Sequence, residues 1–384
     1  MKMQVYILGA GKNGQSLLEY VKETGVIEVA AFIDNNPDKQ KEKIQETECI
    51  SMEEAIRRGA QEEIVCVSVS KGEEAETQLR DKGFAKVICV ASWIEKRREK
   101  EAFFKPVICE DTDYWNAKPF NYYESPYPDI VEIHRQEKEI FDKDKEVVGI
   151  DFNIDRQMEL LKKMEEIELP DWTTDGNAQD YRYFYGNGWF DKNSADALYY
   201  MIRLAKPKNI IEVGSGFSTS VMLDTNERYF DNKINIVSIE PYCERLKSLL
   251  RPSDNIGIYE KDLQKIPLDF FDRLGEDDIL FIDSSHVSKI NSDVNYVFFE
   301  ILPRLKKGVY VHFHDIIYPF IYPAKWIYEG RAYSEMYILR AFLMGNKDFS
   351  IQLFGGMLEH KYADTMTEKL RGVGKNSMWL RKEV

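Results

Sequence analysis

Cysteine is scarce in this chain, with five residues in 384, at positions 49, 66, 89, 109 and 243. An odd number at irregular spacing excludes a paired disulfide framework and offers no zinc-ligand repeat, so the thiols read as reduced. Histidine is equally rare, also with five. Long hydrophobic runs are missing, and no stretch approaches the roughly 20 apolar residues of a membrane-spanning helix. The opening Met1-Lys-Met-Gln-Val-Tyr-Ile-Leu-Gly9 reads as a strand and a turn rather than a signal peptide, which leads us to expect a cytoplasmic protein. Positive charge is in deficit: 52 Lys and Arg against 66 Asp and Glu leave a net charge of −14. Nucleic-acid partners need clustered basic side chains, so we expect none, and look for a small-molecule substrate. No repeat at solenoid spacing is present. The sequence leaves a homo-oligomer open.

With 43% hydrophobic and 31% charged residues, the chain is long enough and apolar enough to bury the core of two domains. Residues 1–93 alternate strand and helix patterns, with strands expected at 4–8, 28–33, 63–69 and 86–90 and helices at 12–23, 52–58 and 73–82. Such βα alternation favours a parallel sheet covered by helices. A connecting segment, 94–178, follows. It holds a charged run at 95–100, an aromatic, proline-punctuated stretch at 103–128 with Tyr114, Trp115, Tyr122 and Tyr123, and two amphipathic helical patterns over 133–168 broken near Gly149. Residues 179–384 carry a second α/β series, with strands expected at 209–213, 235–239, 256–260, 279–282, 309–313, 349–354 and 377–380.

The most telling stretch is Asn209-Ile-Ile-Glu212-Val-Gly214-Ser215-Gly216-Phe-Ser218-Thr-Ser220. An isoleucine-rich run ends in an acid and breaks into a glycine turn that opens a helix, as a buried parallel strand feeding a ligand-cradling turn would. An acid here would repel a pyrophosphate but suit a ligand carrying ammonium and sulfonium groups. At these residues the chain resembles the first motif of class I S-adenosylmethionine-dependent methyltransferases. The resemblance implies a seven-stranded sheet whose last strand inserts antiparallel. The fold class is then α/β with two Rossmann-like domains, the second of them the methyltransferase.

In an open α/β sheet ligands lie at the carboxyl ends of the strands. On that rule Glu212, Gly214, Ser215 and Gly216 would meet the methionine end of S-adenosylmethionine and Glu240 its ribose diol. By the family's pattern Asp262 would meet the adenine amino group, with Asp283 beside the methyl group. Asp283-Ser-Ser-His286 ends the fourth strand and His312-Phe-His314-Asp315 ends the fifth, so three of the five histidines fall here. Two converging aspartates repel unless a cation or proton intervenes, which points to a divalent ion such as Mg²⁺. The pattern resembles metal-dependent sugar and small-molecule O-methyltransferases. Carried over by position, Asp283 and Asp315 become metal ligands and His286 the base. His314 stands where those relatives carry an acid, which admits Mn²⁺ or Zn²⁺, with His314 as a ligand, or no metal at all. His312 reads as a core histidine, facing away from His314. Aromatic segments around Tyr185 and around Trp326 and Arg331 are candidates for the acceptor pocket, with rings for a sugar face and Arg331 for phosphate or carboxylate.

Gly9-Ala-Gly11-Lys-Asn-Gly14 follows the first expected strand and opens a helix, with Asp34 twenty residues on. This context suits NAD or a nucleotide-sugar, with a phosphate at the helix N-terminus and Asp34 on a ribose. With Phe32-Ile-Asp34-Asn-Asn-Pro37, the stretch also resembles small Rossmann-like domains of surface-polysaccharide biosynthesis enzymes. The expected activity is methyl transfer from S-adenosylmethionine to a hydroxyl of a sugar, nucleotide-sugar or similar metabolite. The alternatives are an NAD-dependent oxidoreductase or epimerase working in the first domain, and a non-catalytic nucleotide-sensing scaffold.

Overall fold

A computed structural model describes residues 3–24, 27–41, 43–69, 71–90, 126–176 and 180–384. The charged run 95–100, Cys109 and the aromatic residues Tyr114, Trp115, Tyr122 and Tyr123 lie outside the described residues. The chain divides into two compact units, Met1–Ile140 with Pro323–Arg331, and Phe141–Tyr322 with Ala332–Val384.

In the first unit, β1 (Met3–Leu8), β2 (Ile27–Ile33), β3 (Cys49–Ile50), β4 (Ile64–Val67) and β5 (Lys86–Cys89) form a parallel sheet in the order β3-β2-β1-β4-β5. Helices α1 (Lys12–Thr24), α2 (Met52–Arg57) and α3 (Gly72–Asp81) make the crossovers. Tyr6, Ala31, Ile33, Val65 and Val67 pack into one cluster and Ile7, Leu17, Leu18 and Phe32 into another, as strand alternation delivers side chains to two buried faces. β3 was not among the expected strands, because two residues are too few to show a period. The helical patterns of 133–168 resolve into α4 (Ile130–Arg135), α5 (Glu137–Ile140) and α6 (Ile154–Glu165), with Gly149 at φ +82° between the last two.

The second unit holds a seven-stranded sheet of β6 (Asn209–Val213), β7 (Asn235–Ile239), β8 (Gly257–Tyr259), β9 (Ile279–Ile282), β10 (Tyr310–His314), β11 (Phe349–Leu353) and β12 (Ser377–Lys382). Its order is β11-β12-β10-β9-β6-β7-β8, and β12 runs antiparallel to both neighbours. Each of the seven expected strands is present. The central strand β9 is Ile-Leu-Phe-Ile, buried throughout, as a strand covered on both faces should be. Register fixes what matters next. Ile282 is level with Val213 on one side and Phe313 on the other, so Gly214, Asp283 and His314 emerge side by side at the carboxyl edge.

Helices α7 (Lys192–Ala205) and α8 (Phe217–Tyr229) cover the sheet, and Asp191 caps α7 by accepting the Ser194 N–H at 2.8 Å. The segment leading into α7 is tied down by Arg182, whose side chain is 4% exposed. Its guanidinium pairs with Asp224 at 2.9 Å, Glu227 at 2.7 Å and both oxygens of Asp254. Removing the cation would leave Asp224 and Asp254 buried without it. Arg182→Met is therefore expected to lower stability by about 3–5 kcal/mol in urea unfolding, and a loss under 1 kcal/mol would contradict the account. Among the described residues, no helix is long and apolar enough to cross a membrane, and Cys49, Cys66 and Cys243 are free thiols.

Candidate functional site

The turn after β6 is built around a close approach. Gly214 sits at φ +81°, and a Cβ there would lie 1.8 Å from the Asp283 carbonyl oxygen, so only glycine lets the turn pass the end of β9. The strand ladder continues through it: Asp283 N–H donates to Val213 O at 2.9 Å and Gly214 N–H to Ile239 O at 3.0 Å. Glu240, at the end of β7, accepts the Ser215 N–H at 3.1 Å and the Tyr242 N–H at 2.8 Å. Two hydroxyls at this edge, Ser215 Oγ and Ser284 Oγ, are buried without a hydrogen-bond partner. Arg245, which nothing in the sequence pattern marks, lays its Cδ 3.4 Å from where a Gly216 Cβ would be and its guanidinium 3.5 Å over the Trp189 ring.

Glu212 is placed differently from the expectation. It is fully buried, and its two oxygens accept the hydroxyls of Ser218 at 2.6 Å and Thr219 at 2.5 Å. Burial pushes its carboxyl up to about 8, against the pull of the two hydroxyls. The acid therefore braces the turn from below and presents no carboxylate at the surface to an incoming ammonium. Asp262 is exposed and pairs with Lys265 at 2.5 Å.

At the ends of β9 and β10 the structure gathers two carboxylates and two imidazoles. His286 Nε2 lies 3.4 Å from Asp283 and 3.5 Å from Asp315, while His314 Nδ1 lies 3.5 Å from Asp283 and 3.3 Å from Asp315. The far nitrogen of each ring is tethered: His286 Nδ1 meets Glu335 at 2.8 Å, and His314 Nε2 meets Ser194 Oγ at 3.2 Å. Neither Glu335 nor Ser194 was picked out from sequence, because both approach from helices distant in the chain. His286 and Asp315 adopt left-handed backbone, φ 58° and 57°, which non-glycine residues hold only when the surroundings over-determine them. Burial works against charge on Asp283, yet the His314 and His286 rings hold it well below the usual carboxylate range. Burial likewise opposes charge on His286, yet Asp283 and Glu335 hold it well above the usual imidazole range. His314 is lifted to about 9 by Asp283 and Asp315 despite its burial.

The expectation for His312 needs correcting. Residues two apart on a strand share a face, and the His312 and His314 rings lie 5.9 Å apart. His312 is a core residue all the same: it stacks on Phe281 with centroids 3.9 Å apart, and burial holds it well below the usual range, hence neutral.

The acceptor-pocket candidates are spoken for internally. Tyr185 donates its hydroxyl to the buried Asp196 at 3.1 Å. In the first unit, Arg331 pairs with Glu329 at 2.7 Å and lies 4.7 Å over the Trp326 ring. In the glycine turn after β1, Gly14 is required by packing, since a Cβ would lie 1.9 Å from Gly9 O, and Gly9 is at φ +97°. Only Gly11 of the three faces open space. Asp34 accepts Ala10 N–H at 2.8 Å, Asn36 N–H at 2.9 Å and Lys39 Nζ at 3.0 Å, so it already straps the turn that it was expected to offer to a ribose. Burial raises this carboxyl less than those donors lower it.

Residues 211–316, the span from β6 through the end of β10, match a family model described as a methyltransferase domain. The chain belongs to the class I S-adenosylmethionine-dependent methyltransferases. This methyltransferase is 34% identical over 172 residues to an uncharacterized protein of Archaeoglobus fulgidus, a match spanning 43% of this chain and 77% of the relative. Among solved structures it is similar to the O-methyltransferase TomG from Streptomyces achromogenes in complex with S-adenosylmethionine, at 14% identity over 66% of this chain and 96% of that one, TM-score 0.33. It is also similar to a Rex-family repressor, at 15% identity over 27% of this chain and 61% of the repressor's length, TM-score 0.20.

Glu212 gives a pH test of the turn. A carboxyl whose folded value lies near 8 binds more protons when folded than when unfolded between about 4.5 and 8. Stability must then fall as pH rises through that window. Glu212→Gln removes the titrating group while keeping its shape. The melting temperature of the wild type relative to this variant is expected to drop steadily from pH 5 to pH 9; a constant difference would show that Glu212 does not titrate there.

Proposed function

We propose that this methyltransferase methylates a hydroxyl of a sugar, nucleotide-sugar or similar small polyhydroxylated metabolite, with His286 accepting the hydroxyl proton. One observation carries the reading: His286 Nε2 is held between Asp283 and Asp315 at the carboxyl edge, where Gly214 brings the donor-side turn against β9. Glu240 and the unpartnered hydroxyls of Ser215 and Ser284 line the same edge and support it as the place for the donor. An alcohol is a poor nucleophile at neutral pH, so its proton must leave as the new bond forms. The acceptor oxygen bonds the methyl carbon, the carbon–sulfur bond breaks, the proton passes to His286 Nε2, and S-adenosylhomocysteine departs. A positioned general base is worth roughly 10²–10⁴-fold, and holding oxygen, carbon and sulfur in line supplies much of the rest.

An imidazolium cannot take a proton, and the neighbours of His286 hold it above the usual value of 6.5. Turnover is therefore expected to keep climbing with pH beyond that value. His286→Ala should cut methyl transfer by roughly 10²–10⁴-fold while calorimetry shows S-adenosylmethionine binding unchanged. Turnover retained in this variant would remove His286 as the base.

A divalent ion is a second reading, favoured by His314 Nδ1, which is buried, faces both aspartates and makes no hydrogen bond. Asp283, Asp315 and His314 would hold it, and such an ion lowers the pKa of an oxygen bound to it. Their mixed nitrogen and oxygen donors suit Mn²⁺ or Zn²⁺ as well as Mg²⁺. Among the described residues, no three His, Cys, Asp or Glu side chains are drawn together as a metal centre would be. Metal analysis with a chelation series decides the matter: a metal-assisted enzyme loses turnover in chelator and regains it with Mn²⁺, and full activity in metal-free protein ends the reading. For the first unit, the open space over Gly11 leaves room for a nucleotide or nucleotide-sugar at the turn after β1.

A further inference from the structure

Glu335 is a carboxyl group that the methyl-transfer step does not use, and its surroundings are unusual. It is the first residue of the helix Glu335–Leu343, and it is fully buried. Its Oε2 lies 2.8 Å from His286 Nδ1, whereas its Oε1 is buried with no hydrogen-bond partner. Leaving a buried acceptor unpaired is costly, so a side chain that tolerates one calls for a reason beyond packing. The main chain adds two further ties between the same residues, since Ser334 N–H and Glu335 N–H both donate to His286 O, at 2.8 and 3.1 Å. These ties hold His286 in its left-handed conformation, with the Tyr333 ring 4.9 Å from its own.

We propose that Glu335 is the positioning residue for His286. A carboxylate can only accept at this distance, so the proton of the ring sits on Nδ1 and the lone pair of the neutral ring is confined to Nε2. Nε2 is the nitrogen that faces Asp283 and Asp315. The helix start thus does two things for one ring: its peptide N–H groups fix where the backbone of His286 lies, and its first side chain fixes which nitrogen is basic. Without the carboxylate the ring could place its proton on Nε2, and a base whose proton already occupies the reacting nitrogen is inactive. A wrong tautomer of this kind is worth up to about 10⁴-fold in the serine-protease triad.

This inference rests on the base assigned to His286, and Glu335→Gln tests the two apart. The substitution keeps size and shape but offers an amide that donates or accepts equally well. With melting temperature and S-adenosylmethionine affinity as checks on folding, kcat is expected to fall by about 10²-fold or more with KM for the acceptor unchanged. In parallel, ring ¹⁵N shifts of His286 should report the Nδ1–H form in the wild type and a mixture of tautomers in the variant. Unchanged ¹⁵N shifts would overturn the positioning role, as would wild-type kcat in a folded variant. Should His286→Ala keep its turnover, the base assignment fails, while the ¹⁵N comparison still decides whether Glu335 sets the ring. Should Glu335→Gln fail to fold, Glu335→Asp, which shortens the carboxylate's reach, is read in the same way, with the same shifts deciding.

Discussion

The second unit depends on one contact between main chains, where Gly214 passes the carbonyl of Asp283 at a distance that no side chain would permit. Because β6 and β9 can pair right up to their carboxyl ends, the Gly214 turn and Asp283 are set by the same hydrogen-bond ladder. The adjacent pairing of β9 with β10 then brings His314 level with Asp283, with Asp315 next in the chain. Catalysis in general needs atoms placed within a fraction of an ångström. A parallel ladder with both faces buried provides that rigidity without any long side chain having to reach.

Placing so many ionisable groups at one edge sets burial against pairing. Asp283 and Asp315 share two imidazoles, and each imidazole has its second nitrogen tied to a group on a helix. Removing charge from water costs several kcal/mol per ion, so such clusters persist only when nearly every lone pair and proton has a partner. Glu212 shows the other solution. It has no basic partner among its hydrogen bonds, only two hydroxyls, and burial pushes it up to about 8 so that it is mostly protonated near neutrality. Two acids a few residues from the same turn thus take opposite protonation states for the same reason, the presence or absence of a nearby imidazole.

Much of this was legible in the sequence. Strands announce themselves by apolar runs ending in small or acidic residues, and the seven in the second unit were recovered because each is bounded by such a break. Asp283, His286, His314 and Asp315 were recoverable as neighbours because the strand order implied by the methyltransferase resemblance puts β9 beside β10. Glu335 and Ser194 were not, since they meet His286 and His314 through tertiary packing of helices 49 and 120 residues away, and no local spacing encodes that. The face of His312 was misjudged although strand periodicity alone settles it. The burial of Glu212 is harder to foresee: an acid one residue before a glycine turn has the same sequence whether it looks outward to a ligand or inward to two hydroxyls.

The two glycine turns show why an acid at the end of a second strand is ambiguous. In the first unit Asp34 accepts the N–H of Ala10, the residue after Gly9; in the second Glu240 accepts the N–H of Ser215, the residue after Gly214. The same strap closes both turns, so the acid has a structural use before any ligand arrives. What separates them is the capacity left over. Asp34 also carries the Lys39 ammonium at 3.0 Å, which leaves its carboxylate less to offer a ribose. Glu240 takes one backbone N–H on each oxygen, and a carboxylate oxygen can accept more than one donor. Beneath the strap the units differ again, with fully buried Ile7 two residues before Gly9 and fully buried Glu212 two residues before Gly214. The shared strap explains why both turns read alike in sequence, and the residue beneath it explains why they need not bind alike.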